Sequence, residues 1–164
     1  MRMSISGVTG DSIVDGPGLR LTIFTQGCPH HCPGCHNPQT HDSDGGFWCE
    51  TEDILAAMAE NPLLDGITLS GGEPFLQSTA CLILAQGAHR LGLNVWAYTG
   101  YTWEELLAEA DPERMALLGE VDVLMDGPFL LAERSLELRF RGSRNQRAID
   151  VKRSLEAGEV VLWE

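Results

Sequence analysis

The stretch GLRLTIFTQGCPHHCPGCHNP, residues 18–38, begins with the pattern of a strand and ends with three closely spaced cysteines. Residues 18–26 alternate apolar and polar side chains and include β-branched residues, which is typical of a strand. Cys28, Cys32 and Cys35 follow directly. The sequence therefore predicts that the first cysteine lies at the carboxyl end of a strand.

Predicted strands and helices alternate along the rest of the chain. Further strands are expected in the N-terminal segment and at residues 66–70, 93–99, 121–129 and 158–164. Helices are expected at residues 51–60, 74–92 and 102–110, with Thr51 and Thr102 as N-caps. Such alternation predicts an α/β fold built from right-handed βαβ units, with a mostly parallel sheet. A complete eight-unit barrel needs about 250 residues, so we expect residues 1–164 to form a single-domain open partial (β/α) barrel.

Composition and charge exclude several functional classes. The sequence has no apolar run long enough to span a membrane, and its first residues lack the features of a signal peptide, so we expect a cytoplasmic protein without a membrane partner. A net charge of −13 argues against nucleic acid as a partner. Seven of the eleven basic residues lie in segment 134–153, which is either a solvated face or a docking patch for an acidic partner.

The spacing of the three loop cysteines indicates a metal site, because five cysteines in a reducing compartment seldom form disulfides. A CxxxCxxC loop can surround an iron–sulfur cluster so that each sulfur binds a different iron, and one iron then lacks a protein ligand. A structural zinc site is the alternative, with His36 or Cys49 as the fourth ligand. Cys49 and Cys81 lack a motif and are expected to be buried free thiols.

The predicted strand at residues 66–70 ends in the motif SGGEP. Gly71 and Gly72 allow the backbone to approach a ligand closely and to present its amides and carbonyls, and Glu73 adds a carboxylate that can hold an ammonium group. This combination favours an amino-acid-like ligand. The other interpretation is an ordinary turn between a strand and a helix that begins at Pro74.

The carboxyl ends of parallel strands meet at one edge of a sheet, which is where such folds bind their ligands. We therefore expect four segments to converge there: Cys28, residues 70–73, residues 98–100 and Asp126.

The order of these motifs, with CxxxCxxC after the first predicted parallel strand and GGEP after a later one, resembles the radical S-adenosylmethionine enzymes. This resemblance implies a 4Fe-4S cluster on Cys28, Cys32 and Cys35, with the open iron bound by the amino and carboxylate groups of S-adenosylmethionine. The loop departs from the commonest pattern because Gly34 stands where an aromatic residue is usual, and His36 is expected to take over the adenine contact. The cofactor-binding residues so implied are Gly34, Cys35, His36, Gly71, Gly72, Glu73, Tyr98 and Thr99.

Residues 15–42, DGPGLRLTIFTQGCPHHCPGCHNPQTHD, are similar to the start of the glycyl-radical-enzyme activases. The short chain and the segments WAYTGYTWEEL, VDVLMDGPF and FRGSRNQRAID are most similar to the activating proteins of anaerobic ribonucleoside-triphosphate reductases. The resemblance implies reductive cleavage of S-adenosylmethionine to a 5′-deoxyadenosyl radical, which generates a glycyl radical on the large subunit of the reductase. It also implies a flavodoxin-like electron donor and no catalytic residue beyond the cluster and cofactor.

Two classes of alternative stay open. The chain could serve a different glycyl radical enzyme, such as pyruvate formate-lyase, or resemble 7-carboxy-7-deazaguanine synthase in acting on a small molecule. The shortness of the chain and its RGSRNQ segment, residues 141–146, argue against both. A non-enzymatic zinc or iron–sulfur binding module is the distant alternative, and metal analysis separates it from the enzymes.

Overall fold

The computed structural model of the chain describes residues 1–35 and 37–164. This described part contains seven strands and five α-helices. The strands are β1 (Arg2–Ser12), β2 (Arg20–Thr25), β3 (Phe47–Glu50), β4 (Gly66–Gly71), β5 (Asn94–Tyr98), β6 (Val123–Asp126) and β7 (Arg147–Asp150). The helices are α1 (Thr51–Glu60), α2 (Ser78–Arg90), α3 (Trp103–Glu109), α4 (Pro112–Glu120) and α5 (Val151–Ala157).

The strands form one open sheet in the order β3-β1-β2-β4-β5-β6-β7. Strands β2, β4, β5 and β6 are parallel neighbours. On one side, β1 pairs antiparallel with β2, and β3 pairs antiparallel with β1. On the other side, β7 pairs antiparallel with β6. The parallel centre gives the sheet a carboxyl edge, where these four strands end, and an amino edge, where they begin. The predicted α/β class with a central parallel sheet is confirmed.

The two faces of the sheet bury different side chains. Along β5, Val95 and Ala97 belong to the main apolar core, whereas Trp96 between them belongs to a second cluster, because successive side chains of a strand point to opposite faces. The main core includes Leu84 of α2 and Leu117 of α4, both fully buried. Each such side chain contributes about 1.5–3 kcal/mol to stability, and helices α2 and α4 therefore cover one face.

The second face is covered by a segment without regular strands, residues 129–146. Its Phe140 packs edge-on against Trp96, with ring centroids 5.4 Å apart, and Trp163 packs against the same indole at 4.8 Å. The Tyr98 hydroxyl donates a hydrogen bond of 2.6 Å to the Phe140 carbonyl. Segment 129–146 is thus fixed to the sheet through aromatic packing and one short hydrogen bond.

Several local predictions are confirmed at the level of single residues. Thr102 caps α3 in a reciprocal capping box with Glu105. The predicted helix at 74–92 consists of a 3-10 turn, Pro74–Gln77, followed by α2, and the chain leaves it through Gly92 at φ +79°, a left-handed conformation that glycine adopts without strain.

Two local predictions are wrong. Thr51 is the first residue of α1 and not its cap, and its Oγ1 accepts a hydrogen bond of 3.2 Å from the Met1 ammonium group. Residues 158–164 do not form a strand, because only Leu162 makes a single bridge, to Ile149. Within the described residues, none of the helices is both long and apolar enough to cross a membrane.

Candidate functional site

Four loops at the carboxyl edge border one cavity of about 660 Å³. They follow β2, β4, β5 and β6, the strands whose ends were predicted to converge. The predicted site residues that line the cavity are Cys28, Cys32, Cys35, Gly71, Gly72, Tyr98 and Thr99. The cysteine loop and the SGGEP motif therefore face the same space.

The three loop cysteines are free, half-buried thiols. The loop folds back on itself, since the Cys35 amide donates to the Cys32 carbonyl at 3.1 Å, and the Asn37 amide donates to the Cys35 sulfur at 3.4 Å. Burial raises the pKa of the Cys28 thiol, while backbone amides of His30 and His31 that donate to the sulfur act in the opposite direction. Amide donors of this kind also stabilise sulfur ligands that carry negative charge.

Three thiols in one loop are a donor set that fits an iron–sulfur cluster. Four zinc ligands would have to close around one point, with sulfurs about 2.3 Å from the metal. Among residues 1–35 and 37–164, no three His, Cys, Asp or Glu side chains gather in a way that could hold one metal ion. Three thiols that line one cavity supply the number of protein ligands that a cluster with one open iron takes.

Gly34, the residue before the third cysteine, has a left-handed backbone conformation that glycine adopts without strain. Its φ is +73°, and a Cβ would lie 2.9 Å from Cδ1 of Leu131 and 3.5 Å from Phe129. A larger residue here would have to adopt the left-handed conformation and displace the Leu131 side chain. Gly34 does not itself line the cavity, so a direct cofactor contact from this residue stays a prediction.

The two glycines of SGGEP are needed for the contact between two loops. A Cβ on Gly71 would collide with the backbone at Thr25, and a Cβ on Gly72 with the Gly27 carbonyl. The close approach allows two hydrogen bonds of 2.8 Å, from the Gly72 amide to the Thr25 carbonyl and from the Glu73 amide to the Gly27 carbonyl. These bonds hold the SGGEP turn against the residue that precedes Cys28.

Glu73 lies behind the cavity wall and is fully buried. Its carboxylate accepts hydrogen bonds from Thr99 Oγ1 at 2.8 Å, from the Gly100 amide at 2.8 Å and from the Phe75 amide at 3.0 Å. His30 Nε2 is a fourth partner at 2.6 Å. The prediction that Glu73 holds an ammonium group of a ligand stays untested, whereas the geometry shows its oxygens bound to groups of the chain.

Of the remaining predicted residues, some line the cavity and others are buried in the structure that supports it. Tyr98 and Thr99 line the cavity, and their hydroxyl groups are bonded to Phe140 and Glu73. Asp126 does not line it: the carboxylate is buried and accepts hydrogen bonds from the Trp103 amide and from Arg147. The predicted adenine contact, His36, lies outside the described residues.

The two cysteines without a motif lie away from the cavity. Cys81 is buried in the main core, as predicted, and burial raises the pKa of its thiol to about 12. Cys49 lies half-buried on β3, so it is less buried than expected. Neither residue lines the cavity, which leaves them outside the site.

Part of the basic segment 134–153 forms one wall of the cavity. Arg141 lines it and donates a hydrogen bond of 2.9 Å to the Gln146 carbonyl. Arg147 is bound to Asp126 and Glu104, at 2.6 and 2.7 Å, whereas Arg144 is exposed. The segment is therefore neither a purely solvated face nor a uniform patch.

Sequence analysis missed His30 and Arg141 as parts of this site. His30 meets a residue 43 positions away, and no local pattern indicates such a contact. Arg141 lies in an irregular segment whose path across the sheet depends on Tyr98 and Trp96.

Comparison with known proteins adds an independent line. Residues 14–149 match the family described as a 4Fe-4S single cluster domain. The chain is 37% identical over 143 residues to the anaerobic ribonucleoside-triphosphate reductase-activating protein of Vibrio cholerae, covering 82% of this chain and 89% of the relative. The proteins of the same name from Salmonella typhi and Escherichia coli K12 are 38% and 35% identical over 142 residues, each match covering 82% of this chain and 90% of the relative.

Proposed function

The chain belongs to the family of anaerobic ribonucleoside-triphosphate reductase-activating proteins, and from that membership we propose that it activates such a reductase by generating a glycyl radical on its large subunit. It acts as a radical S-adenosylmethionine enzyme with a 4Fe-4S cluster. The other glycyl radical enzymes and small-molecule reactions considered from the sequence have no comparable support among these relatives.

One observation carries the proposal. The three-cysteine loop and the SGGEP turn border the same cavity, and two backbone hydrogen bonds of 2.8 Å join them. A cluster on the cysteines would then lie next to a glycine turn with exposed backbone groups, which suits the amino and carboxylate groups of an amino-acid-like cofactor.

We assign the cluster to Cys28, Cys32 and Cys35, and S-adenosylmethionine to the same cavity. The cofactor contacts that we propose within the described residues are Cys35, Gly71, Gly72, Tyr98 and Thr99, all of which line the cavity. His36 keeps its proposed adenine contact. Gly34 and Glu73 serve this site through packing and hydrogen bonds to the loops.

A reduced cluster held by Cys28, Cys32 and Cys35 would supply the electron for cleavage of S-adenosylmethionine to methionine and a 5′-deoxyadenosyl radical, which would remove a hydrogen atom from the Cα of a glycine in the reductase. The chain's own residues bind and orient the reactants and keep water out. No general acid or base is needed for removal of a hydrogen atom, so the proposal includes no catalytic residue beyond the cluster and cofactor.

The substrate on this proposal is a peptide loop of a large protein, which has to enter from outside. We propose that the open sheet acts as a partial (β/α) barrel with such an entrance. Ile13 and Val14 line the cavity and are 72% and 71% exposed, so they are accessible to a loop of another protein. A flavodoxin-like protein is the proposed electron donor, and the reduced thiols that the cluster needs suit a cytoplasmic location.

The test is activation of the reductase itself. The chain is reconstituted anaerobically with iron and sulfide, reduced, and mixed with S-adenosylmethionine and an anaerobic ribonucleoside-triphosphate reductase. We expect 5′-deoxyadenosine and the electron paramagnetic resonance doublet of a glycyl radical from the wild type and from the control Cys49→Ala, and neither from Cys32→Ala. A colourless zinc protein that forms no 5′-deoxyadenosine would overturn the proposal.

A further inference from the structure

Glu73 and its hydrogen-bond donors, which we call the Glu73 network, connect three of the loops that border the cavity. The donors are His30 from the cysteine loop, Thr99 and Gly100 from the loop after β5, and Phe75 from the SGGEP turn. The carboxylate is fully buried. None of the roles assigned so far explains why a histidine between two cysteines should reach this buried group.

We propose that His30 is a positioning residue: its bond to Glu73 sets the cysteine loop against the SGGEP turn and the loop after β5, so that the sulfurs are held for cluster binding. The inference rests on the proposed function only in that the loop binds an iron–sulfur cluster.

The chemistry of the network requires a carboxylate and a donating histidine. A carboxylate only accepts hydrogen bonds, and the Thr99 hydroxyl, the Gly100 amide and the Phe75 amide can all donate to it. In the tautomer that carries its proton on Nε2, His30 is a fourth donor, at 2.6 Å from Oε1 of Glu73. Such a bond to a charged acceptor in a buried site is stronger than a neutral one, and one missing donor would leave part of the carboxylate unsatisfied.

The position of the imidazole ring is fixed by its surroundings as well as by this bond. A Cβ on Gly100 would collide with the ring, so the ring lies directly on the Gly100 backbone. Tyr101 packs against it edge-on, with centroids 4.6 Å apart. Arg114 in turn donates to the Tyr101 hydroxyl at 3.3 Å and lies over its ring at 4.7 Å. These contacts fix the position of the imidazole ring, and the absence of a side chain at Gly100 leaves space for it.

Because of its position in the loop, His30 connects the bond to Glu73 with the backbone of two cluster cysteines. It lies midway between Cys28 and Cys32. A shift of His30 away from Glu73 would therefore move the backbone on both sides, toward Cys28 and toward Cys32. The loop after β5 would move too, because Thr99 and Gly100 share the same carboxylate.

The test uses four variants of the full chain. His30→Ala removes the donor, and His30→Gln replaces it, since a glutamine amide can place an N–H close to the position of Nε2. Gly100→Ala displaces the ring without altering either partner. His31→Asn is the matched control, because it changes the adjacent histidine and keeps a residue that tolerates the left-handed φ of 47° found there.

Two readouts are followed: the rate of iron loss from the reconstituted chain to a chelator, and amide hydrogen exchange of residues 27–35 and 98–102. We expect iron loss and exchange in both segments to be about tenfold faster or more in His30→Ala and Gly100→Ala, from loss of a buried charge-assisted bond. His30→Gln should recover most of the wild-type rates, and His31→Asn should match the wild type.

Equal rates of iron loss and exchange for His30→Ala, Gly100→Ala and His31→Asn would overturn the proposal. Rates for His30→Gln as fast as those of His30→Ala would also overturn it. Should His30→Ala not fold, Gly100→Ala and His30→Gln still decide the matter. Neither readout needs S-adenosylmethionine or a reductase. A chain that passes this test but forms no glycyl radical would therefore contradict the proposed function and leave the role of His30 intact.

Discussion

Arg20 at the amino edge of the sheet and Glu73 at the carboxyl edge are both completely buried, and they serve different purposes. At the amino edge, Arg20 donates to Pro17 and Ile67 carbonyls, to Thr68 Oγ1 and to Asn94 Oδ1, at 2.7–2.9 Å. At the carboxyl edge, Glu73 accepts from groups of three loops that border the cavity.

The difference lies in what surrounds each charge. The partners of Arg20 belong to central strands or to the turn before β2, and the guanidinium also lies 5.7 Å from the Trp96 ring. Burial lowers the pKa of Arg20 to about 10, so it stays charged at neutral pH. Glu73, in contrast, joins loops whose other side faces a cavity. A buried charge therefore stabilises the frame at one edge and orients a site at the other, where parallel strands end.

The largest expected effect comes from removing the charge at the amino edge. Arg20→Met leaves buried acceptors on β4 and β5 without a donor, and we expect the free energy of unfolding to fall by about 3–5 kcal/mol. Urea unfolding of the chain before reconstitution with iron measures this change. Arg153→Met is the control, because Arg153 is exposed near the same edge and its replacement should change stability by less than about 0.5 kcal/mol. A similar loss in both variants would contradict a framing role for Arg20.

A second prediction compares a buried and an exposed ion pair at the carboxyl edge, where one guanidinium binds two carboxylates. Arg147 contacts Asp126, which is 1% exposed, and Glu104, which is 63% exposed. Asp126→Asn also weakens the acceptor of the Trp103 amide, and we expect a loss of about 2 kcal/mol in unfolding free energy. Glu104→Gln removes a screened surface partner and should cost at most about 0.5 kcal/mol. Equal losses would mean that burial does not decide the strength of these pairs.

The regions of the molecule also differ in how well their strands and helices could be predicted from the sequence. The central strands were predictable because β2 alternates apolar and polar residues, while β4, β5 and β6 are short and largely apolar, and each of the four ends in a motif or a turn. The edge strands β3 and β7 were not, because β3 is largely exposed and both depend on pairing with distant segments. Helix α3 ends at Glu109, one residue before its predicted end, and the chain turns at Ala110 with φ 49°. Helix α4 was missed, although Asp111 caps it and Pro112 is its first residue.

The site was predictable in its parts but not in its connections. Cysteine spacing and SGGEP identified the residues that line the cavity, because these motifs carry their chemistry in consecutive positions. The link from His30 to Glu73, and the path of residues 129–146 over the second face, arise from contacts between residues far apart in sequence. Residues 158–164 show the opposite error: their apolar pattern predicts a strand, but only Leu162 pairs with the sheet.

A third prediction compares the same charge change at the two edges. Arg144 is exposed in the segment that forms one wall of the cavity, whereas Lys152 is exposed on α5, next to the amino edge. If the reductase docks at the carboxyl edge, Arg144→Glu should slow activation about threefold to tenfold at low salt, since rim charges act mainly on association. Lys152→Glu should leave activation unchanged. The rate of glycyl radical formation at several salt concentrations measures both, with 5′-deoxyadenosine formation in the absence of the reductase as the check on the site. Equal effects would place the docking surface elsewhere.

The smallest expected effect concerns a histidine at the amino edge, where charges serve the frame. His89 of α2 bonds through Nδ1 to Glu120 at 2.9 Å and through Nε2 to Asp122 at 3.0 Å. Partial burial acts to lower the pKa of His89, but the hydrogen bonds to Asp122 and Glu120 outweigh it and raise that pKa. Because the folded pKa lies above the unfolded value of about 6.5, the added stability is fully present below pH 6.5 and is lost as the pH rises through the folded pKa.

The magnitude is small because the His89 side chain is 33% exposed and its partners 36% and 47% exposed. We expect the difference in unfolding free energy between wild type and His89→Gln to be about 0.5 kcal/mol larger at pH 6 than at pH 9. Urea unfolding before reconstitution measures it, and Arg90→Gln, one residue further along α2, is the control. A difference that grows with pH would mean that burial, not the two carboxylates, dominates the titration of His89. In that case the carboxylates at the amino edge would not stabilise every charge there, and the two edges would differ less than the paired charge of Arg20 indicates.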